Sequence, residues 1–353
     1  EKVRALKTSY NSIEQEDEMF HKLSYCLYEP RSASPSIDTP LHALLPFRHI
    51  DHLHPDAIIA IAASRDGRSL VEEIWQGEIG WIDWQRPGFD LALQLELYLS
   101  DHPGIKGIIL GGHGLFTWGE TSRECYQNSL QVIREAMAHV EKAENEKGPA
   151  FGGQRIQSLD HISRRRQAAR IAPILRGYCS SEQRMVGHFS DDPKVLEFVN
   201  SRNLNRLAPM GTSCPDHFLR TKIRPMILPV APDYVPEDLG FEDNAIKEAF
   251  QKYREAYAVY YESQFDQDSP PMRDPNPVVI LYPGVGMFTF ARNKATARVA
   301  AEFYINAINV IRGAEALSAY QSLPEAEAFR IEYWQLEEAK LKRMPPPKPL
   351  TGK

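Results

Sequence analysis

Cysteine is scarce in this chain. Cys26, Cys125, Cys179 and Cys214 are spread over 353 residues with no C-x-x-C among them. That usage argues against a ribbon-type zinc site and a disulfide scaffold, and makes a reducing, cytoplasmic setting the expectation. Long apolar runs are missing too: Ala57–Ala63 is a short one, far below the roughly 18 residues of a membrane span. No sign of charge dominates, since 41 lysines and arginines face 47 aspartates and glutamates for a net charge of −6. A mildly acidic chain is poorly suited to gripping nucleic acid by counterion release, so neither nucleic acid nor membrane is the expected partner. Glu1-Lys2-Val3-Arg4 has no apolar signal-peptide core. A G-x-G-x-x-G loop ahead of a helix is also lacking, and Gly284-Val285-Gly286 lies inside an apolar strand–loop that is no phosphate cradle.

What is present is an ordinary globular composition, with 42% hydrophobic and 25% charged residues. The length suits one large domain or two, with enough chain to bury a core without disulfide or metal staples. Helical spacing with caps or stops predicts helices over 12–29, 39–45, 121–147, 156–175, 243–265 and 293–322, a short helix from Asp192-Pro193, and a charged helix over 325–342. The leucines of 88–100 recur every second residue, but length and Leu, Glu and Gln content favour a helix there. Strands are expected at 57–61, 78–84, 107–110 and 278–281. Strands alternating with helices indicate an α/β layered fold.

The second half resembles the first. Gly107-Ile-Ile-Leu-Gly-Gly-His113-Gly-Leu-Phe-Thr-Trp118 lies over Val279-Ile-Leu-Tyr-Pro-Gly-Val285-Gly-Met-Phe-Thr-Phe290, with a long helix after each. Similarity at so long an interval suggests domain duplication rather than a solenoid, the rival being that strand–glycine–helix junctions resemble one another anyway. The expected organisation is a metal-binding lobe over 1–150, a degenerate lobe over 151–342, and a Pro-rich linker over 343–353 leading to a further domain. The chain reads as a piece of a longer polypeptide.

The densest chemical signal is His49-Ile50-Asp51-His52-Leu53-His54-Pro55-Asp56. In an extended backbone, residues two apart point the same way, so His52 and His54 form a ready pair of imidazole ligands. His113, between Gly112 and Gly114 at a strand end, supplies a third. Three neutral imidazoles with an open position are the layout of a catalytic zinc site. Strand-end hydrogen bonding is the bland alternative for each. His49 has the wrong parity to join, and His42 reads as a structural donor. Asp51 could orient an imidazole or serve a turn. Asp38 reads either as a helix N-cap or as a general acid/base near the metal. Arg164-Arg165-Arg166 reads as a solvated helix face, and Arg220, Lys222 and Arg224 as a solvated basic strand with anion binding as the rival.

These residues, in this order, resemble the class II aldolase/adducin family, whose members carry an acidic residue before a helical His, an H-x-H, and an apolar strand ending in N/G-H-G. Here the matches are Asp38, His42, His52-Leu53-His54 and Leu110-Gly111-Gly112-His113-Gly114. Thr212-Ser-Cys-Pro-Asp-His217, Arg220-Thr-Lys-Ile-Arg224 and Tyr282–Phe290 narrow the resemblance to the aldolase part of bifunctional rhamnulose-1-phosphate aldolase/short-chain dehydrogenases, over essentially the whole chain. The resemblance implies a layered α/β/α fold and a homo-oligomer. It implies His52, His54 and His113 as ligands of zinc or another divalent metal, and Asp38 in the place of the catalytic carboxylate, more often Glu. It implies retro-aldol cleavage of a ketose 1-phosphate, with NAD confined to a dehydrogenase domain beyond this chain. A sugar-phosphate epimerase or dehydratase and a non-catalytic adducin-like module are the alternatives. Glu1–Pro35 lacks the family's Gly-rich, Ser-containing phosphate loops, and substrate-binding residues are unassigned.

Overall fold

The computed structural model describes residues 1–29, 32, 35–181, 183–230, 243–267 and 269–334. The chain forms two compact units, residues 1–62 with 66–139, and residues 63–65 with those from 140 on. Each holds one four-stranded mixed sheet packed against helices. None of the helices among the described residues is long and apolar enough to cross a membrane.

In the first unit the sheet order is β1(His49–Leu53), β4(Gly114–Gly119), β3(Gly107–Leu110), β2(Ile79–Ile82). β4 runs antiparallel to both neighbours, whereas β2 and β3 are parallel. The main helices of this unit are α1(Glu16–Leu23), α2(Thr39–Leu44), α3(Asp56–Ala62), α4(Gly67–Trp75) and α5(Phe89–Asp101). α6(Ser122–Lys147) leaves the end of β4. Its start is a capping box: Glu124 N donates to Thr121 Oγ1, and Glu120 N donates to the Glu124 carboxylate. The core combines Leu41 and Leu44 of α2, Phe89, Leu91, Ala92 and Leu95 of α5, and Ile108, Leu110, Phe116 and Trp118 of the sheet. The leucine-rich segment is helical because residues three and four apart pack inward, while Leu97 stays 63% exposed. Buried Glu16 closes the N-terminus of α5, its carboxylate accepting from Phe89 N and Asp90 N at 2.8 and 2.7 Å.

The expected strand at 57–61 is a correction: those residues form α3, with Ile59 N bonded to Pro55 O. A short, fully buried apolar run carries no period that separates strand from helix, and Asp56 in the first turn suits a helix dipole. The strand lies earlier, at His49–Leu53, over the histidines themselves.

The second unit repeats the topology. Its sheet runs β5(Val186–Ser190), β8(Gly286–Ala291), β7(Val279–Tyr282), β6(Met226–Ile227). Val279–Tyr282 pairs with Gly286–Thr289 in the register that joins Gly107–Leu110 to Gly114–Thr117. In this register Val285 occupies the turn position of His113, and Phe189 faces Phe288 as His52 faces Phe116. The main helices are α7(His161–Cys179), α8(Pro193–Val199), α9(Pro215–Thr221), α10(Asp243–Glu262), α11(Lys294–Leu317) and α12(Glu325–Glu332). α7 starts later than its periodicity predicts because the Asp160 side chain caps it, accepting from Ile162 N and Ser163 N. The rest of the predicted helix 325–342 and the Pro-rich 343–353 lie outside the described residues.

Two basic clusters depart from expectation. Arg164 is largely buried, bonded to Leu159 O and Asp191, so only part of that run is a solvated face. Lys222 is no surface cation: buried beneath the Pro-rich loop, its ammonium donates to the carbonyls of Asp274 and Asn276 and lies 4.0 Å from the Tyr257 ring centre. Arg224 pairs with Glu325. Both commitments are to the protein itself, whereas exposed Arg220 lies on α9 with its guanidinium 5.8 Å from the Phe303 ring centre.

Candidate metal centre

Three glycines shape the hairpin that carries His113. Leu110 pairs with Gly114, so Gly111-Gly112-His113 forms the turn, closed by His113 N donating to Leu110 O at 3.1 Å. Gly112 adopts the left-handed conformation, φ +63°. A Cβ on Gly111 would approach the Trp81 ring to 2.9 Å. A Cβ on Gly114 would stand 2.5 Å from His54 Cδ2 and 2.7 Å from Leu53 O. The hairpin can close on His54 only because residue 114 has no side chain. Gly114→Ala is therefore expected to displace the His54 ring and weaken metal binding by about 10- to 100-fold, the range for losing a group that orients a ligand; a competitive chelator titration measures it.

His52 lies on β1 opposite Phe116, and its ring stacks on that phenyl at 4.1 Å between centres and 12° between planes. Its Nδ1 is 3.2 Å from Leu115 O. A proton on Nδ1 donated to that carbonyl leaves the Nε2 lone pair free of hydrogen, and Nε2 lies 3.1 Å from Nε2 of His54. His54 follows the strand rather than sitting in it. The His113 ring centre is 4.9 Å from that of His52 and 5.1 Å from that of His54. One ring nitrogen from each of the three lies within 4.8 Å of the others. All three residues belong to the first unit.

Electrostatics keep these rings in the ligand-ready form. Burial, then repulsion from His54, pushes His52 down to about 4. Burial, then His52 and His54, holds His113 well below the ordinary imidazole range. Both are neutral near pH 7, with lone pairs available without first releasing a proton. An all-imidazole donor set suits zinc and its transition-metal neighbours, and does not suit calcium or magnesium, which take oxygen.

Asp38 stands at the start of α2 but does not cap it. Ser36 Oγ donates to its Oδ2 at 3.0 Å, and Asp38 N donates to Ser36 Oγ at 3.2 Å. Its carboxylate acts on His52, favouring the protonated ring against the stronger effect of burial. The structure thus brings Asp38 within electrostatic reach of one of the three imidazoles. His42, one turn along α2, is exposed and packs its ring 5.9 Å from Phe116, with no side-chain hydrogen bond among the described residues to make it the structural donor expected. Asp51 does not orient an imidazole: it accepts from Ser129 Oγ at 2.8 Å, on the opposite strand face from His52. His49 stays apart from the three, as its parity predicts, and shares a cavity with Arg48.

The sequence reading missed Phe116, the platform under His52, and Trp84, whose ring centre lies 6.3 Å from that of His113. Phe116 carried a signal, two residues beyond the Gly-His-Gly turn in a period-2 strand. Trp84 carried none, because it joins the site only through the fold.

Two known domain families match the chain. The one described as Class II Aldolase and Adducin N-terminal domain covers residues 3–140, and the one described as Aldolase class II, second domain, covers residues 166–341. A curated Bacillus subtilis (strain 168) relative named "Uncharacterized oxidoreductase YuxG" is 37% identical over 333 residues. That alignment takes in 94% of this chain but 48% of the relative, so the chain spans about half the length of the protein it matches. A solved structure, the N-terminal class II aldolase domain of a conserved Thermoplasma acidophilum protein, is 29% identical with a TM-score of 0.36, covering 39% of this chain and 63% of that one.

Proposed function

Because the chain belongs to the class II aldolase and adducin family, we propose that it is a metal-dependent retro-aldol lyase acting on a ketose 1-phosphate, first of all rhamnulose 1-phosphate, cleaved to dihydroxyacetone phosphate and lactaldehyde. The observation that carries this reading is the convergence of His52, His54 and His113, two of them held neutral by burial, with the Asp38 carboxylate within electrostatic reach of His52. The family includes non-catalytic members, and a module that only binds partners has no use for three converging imidazole lone pairs.

His52, His54 and His113 would hold the ion, with zinc the proposed occupant. When bound, the metal supplies a Lewis acid at the substrate's oxygens. The protein's own groups do the rest. Phe116 fixes the His52 ring, and the bond from Nδ1 to Leu115 O fixes its tautomer. Trp84 covers His113 on one side. In cleavage, the substrate hydroxyl on the departing aldehyde carbon gives its proton to the Asp38 carboxylate, the adjoining carbon–carbon bond breaks, and the electron pair stays with the ketone-bearing fragment. Asp38 then returns a proton to the carbon left behind, which completes dihydroxyacetone phosphate.

The same reading covers organisation. Residues 1–150 form the metal-binding lobe, and 151–342 a supporting lobe whose Phe189 and Val285 replace His52 and His113. We place any nicotinamide chemistry of the oxidoreductase-named relative in the half that this chain does not share, because Gly284-Val285-Gly286 is a hairpin turn between β7 and β8. A cytoplasmic homo-oligomer completes the proposal, the location resting on four cysteines that are all free thiols.

The test is elemental analysis of the purified chain, followed by coupled assays with rhamnulose 1-phosphate and other ketose 1-phosphates. About one zinc per chain, and chelator-sensitive release of dihydroxyacetone phosphate, are expected. A metal-bound chain that epimerises or dehydrates a sugar phosphate without cleaving it would overturn the aldolase reading while sparing the metal site.

A further inference from the structure

A cavity of about 360 Å³ opens at the start of β1, lined by His42, Phe47, Arg48, His49, Ile50, Asp51, Ser122, Cys125 and Tyr126, all of the first unit. Among the described residues β1 is an edge strand, paired with β4 alone, which leaves this side of the sheet open.

The polar groups of the cavity divide by what already occupies them. Asp51, its one carboxylate, is engaged by Ser129 Oγ at 2.8 Å, and Ser129 is further tied to Thr117 Oγ1 at 2.6 Å. The Cys125 thiol is buried and, beside Asp51, pushed up to about 11, so it brings no negative charge. Arg48, His49, Ser122 and Tyr126 differ: among the described residues none of their side chains is bonded to another group of the protein. What the cavity has to spare is therefore an exposed guanidinium fork, imidazole nitrogens and two exposed hydroxyls, beside one carboxylate, Asp51, whose charge is held by the Ser129 hydroxyl and not cancelled. Five N–H donors in a planar fork match a phosphate or carboxylate oxygen pair. The volume lies at the small end of the roughly 300–1,000 Å³ of ligand pockets, which suits a small organic phosphate and not a dinucleotide.

This place differs from the metal centre. His49 is three strand residues before His52, about 10 Å along β1 at 3.3 Å per residue. His42 links the two, lining the cavity while its ring rests against Phe116, the platform of His52.

We propose that the cavity at the open edge of β1 is a second ligand site, separate from the three imidazoles, that binds a small phosphate-bearing molecule through Arg48 and His49, with Tyr126 and Ser122 completing the oxygen contacts. The site stands independently of the aldolase reading, because none of its donors is a proposed metal ligand or acid/base.

Isothermal titration with inorganic phosphate tests it on the whole chain at low salt. The unaltered protein should bind phosphate saturably. Arg48→Glu should weaken binding by about tenfold or more, the scale of losing charged hydrogen bonds, with metal content unchanged. Arg48→Lys should retain part of the affinity, as a point charge replaces a fork. His113→Ala should leave phosphate affinity within about twofold, since that variant removes only the metal centre. Absence of saturable binding, or equal binding by Arg48→Glu, would overturn the site. Loss of binding in His113→Ala would overturn its separateness and assign the phosphate to the metal. A circular-dichroism spectrum of each variant excludes unfolding as the cause.

Discussion

A chain carrying His113→Ala should lose its metal and keep its fold. His113 is the most buried of the three imidazoles, 2% exposed, and it sits at the tip of a hairpin whose shape comes from Gly111, Gly112 and Gly114. Removing the ring leaves those glycines and the β3–β4 register untouched, so the turn has no reason to open. What disappears is one of three nitrogen donors. Displacing a group that merely orients a ligand costs about 10- to 100-fold in affinity, and losing a ligand outright should cost more than about 100-fold. Elemental analysis after dialysis against a weak chelator reads the loss, with far-UV circular dichroism as the folding control. A variant that kept its full zinc complement would refute the ligand assignment and return His113 to the role of a satisfied turn residue.

Asp38→Asn should do the opposite: keep the metal and lose turnover. The substitution keeps the size and the bonds with Ser36, and it removes the charge that acts on His52. Positioned proton transfer is worth about 10²–10⁴-fold, so turnover should fall by that factor with metal content unchanged. The expected drop lies in kcat more than in KM, since an amide can still accept from a substrate hydroxyl but cannot deliver an acid proton. Unchanged turnover would move the acid/base role elsewhere. Loss of metal instead would make Asp38 a support for His52.

The metal centre was legible because its ligands fall in two short segments with local rules. His52 and His54 are two apart, and His113 is bracketed by glycines that Gly114's contact with His54 explains physically. The surrounding sheets were read only in part: Gly114–Gly119, Val186–Ser190, Met226–Ile227 and Gly286–Ala291 are strands beyond the expected four, and one expected strand was displaced. The strand was placed on the apolar run after the histidines, whereas it is the less apolar stretch containing them. Ala57–Ile61 has the composition of a buried strand, and its helix rests on what packs around it. Arg164 and Lys222 were misread for one shared reason: a charged side chain reads as exposed until its partners are known. The partners here, Asp191 at 27 residues' separation from Arg164 and the carbonyls of Asp274 and Asn276 at 52 and 54 from Lys222, come from distant loops.

The sequence by itself determined the ordered set of Asp38, His42, His52, His54 and Gly-His113-Gly, and the likeness between Gly107–Trp118 and Val279–Phe290, because each is made of short local patterns taken in chain order or of plain repetition. The family followed from that order. Tertiary structure alone decided which polar groups are spent and which are spare. It committed Asp51 to Ser129, seated His52 on Phe116, and left the Arg48 and His49 side chains unbonded among the described residues. Satisfaction of a hydrogen bond or a charge depends on distance in space, and residues 78 apart in sequence, as Asp51 and Ser129 are, meet only after the sheet and its helices have packed.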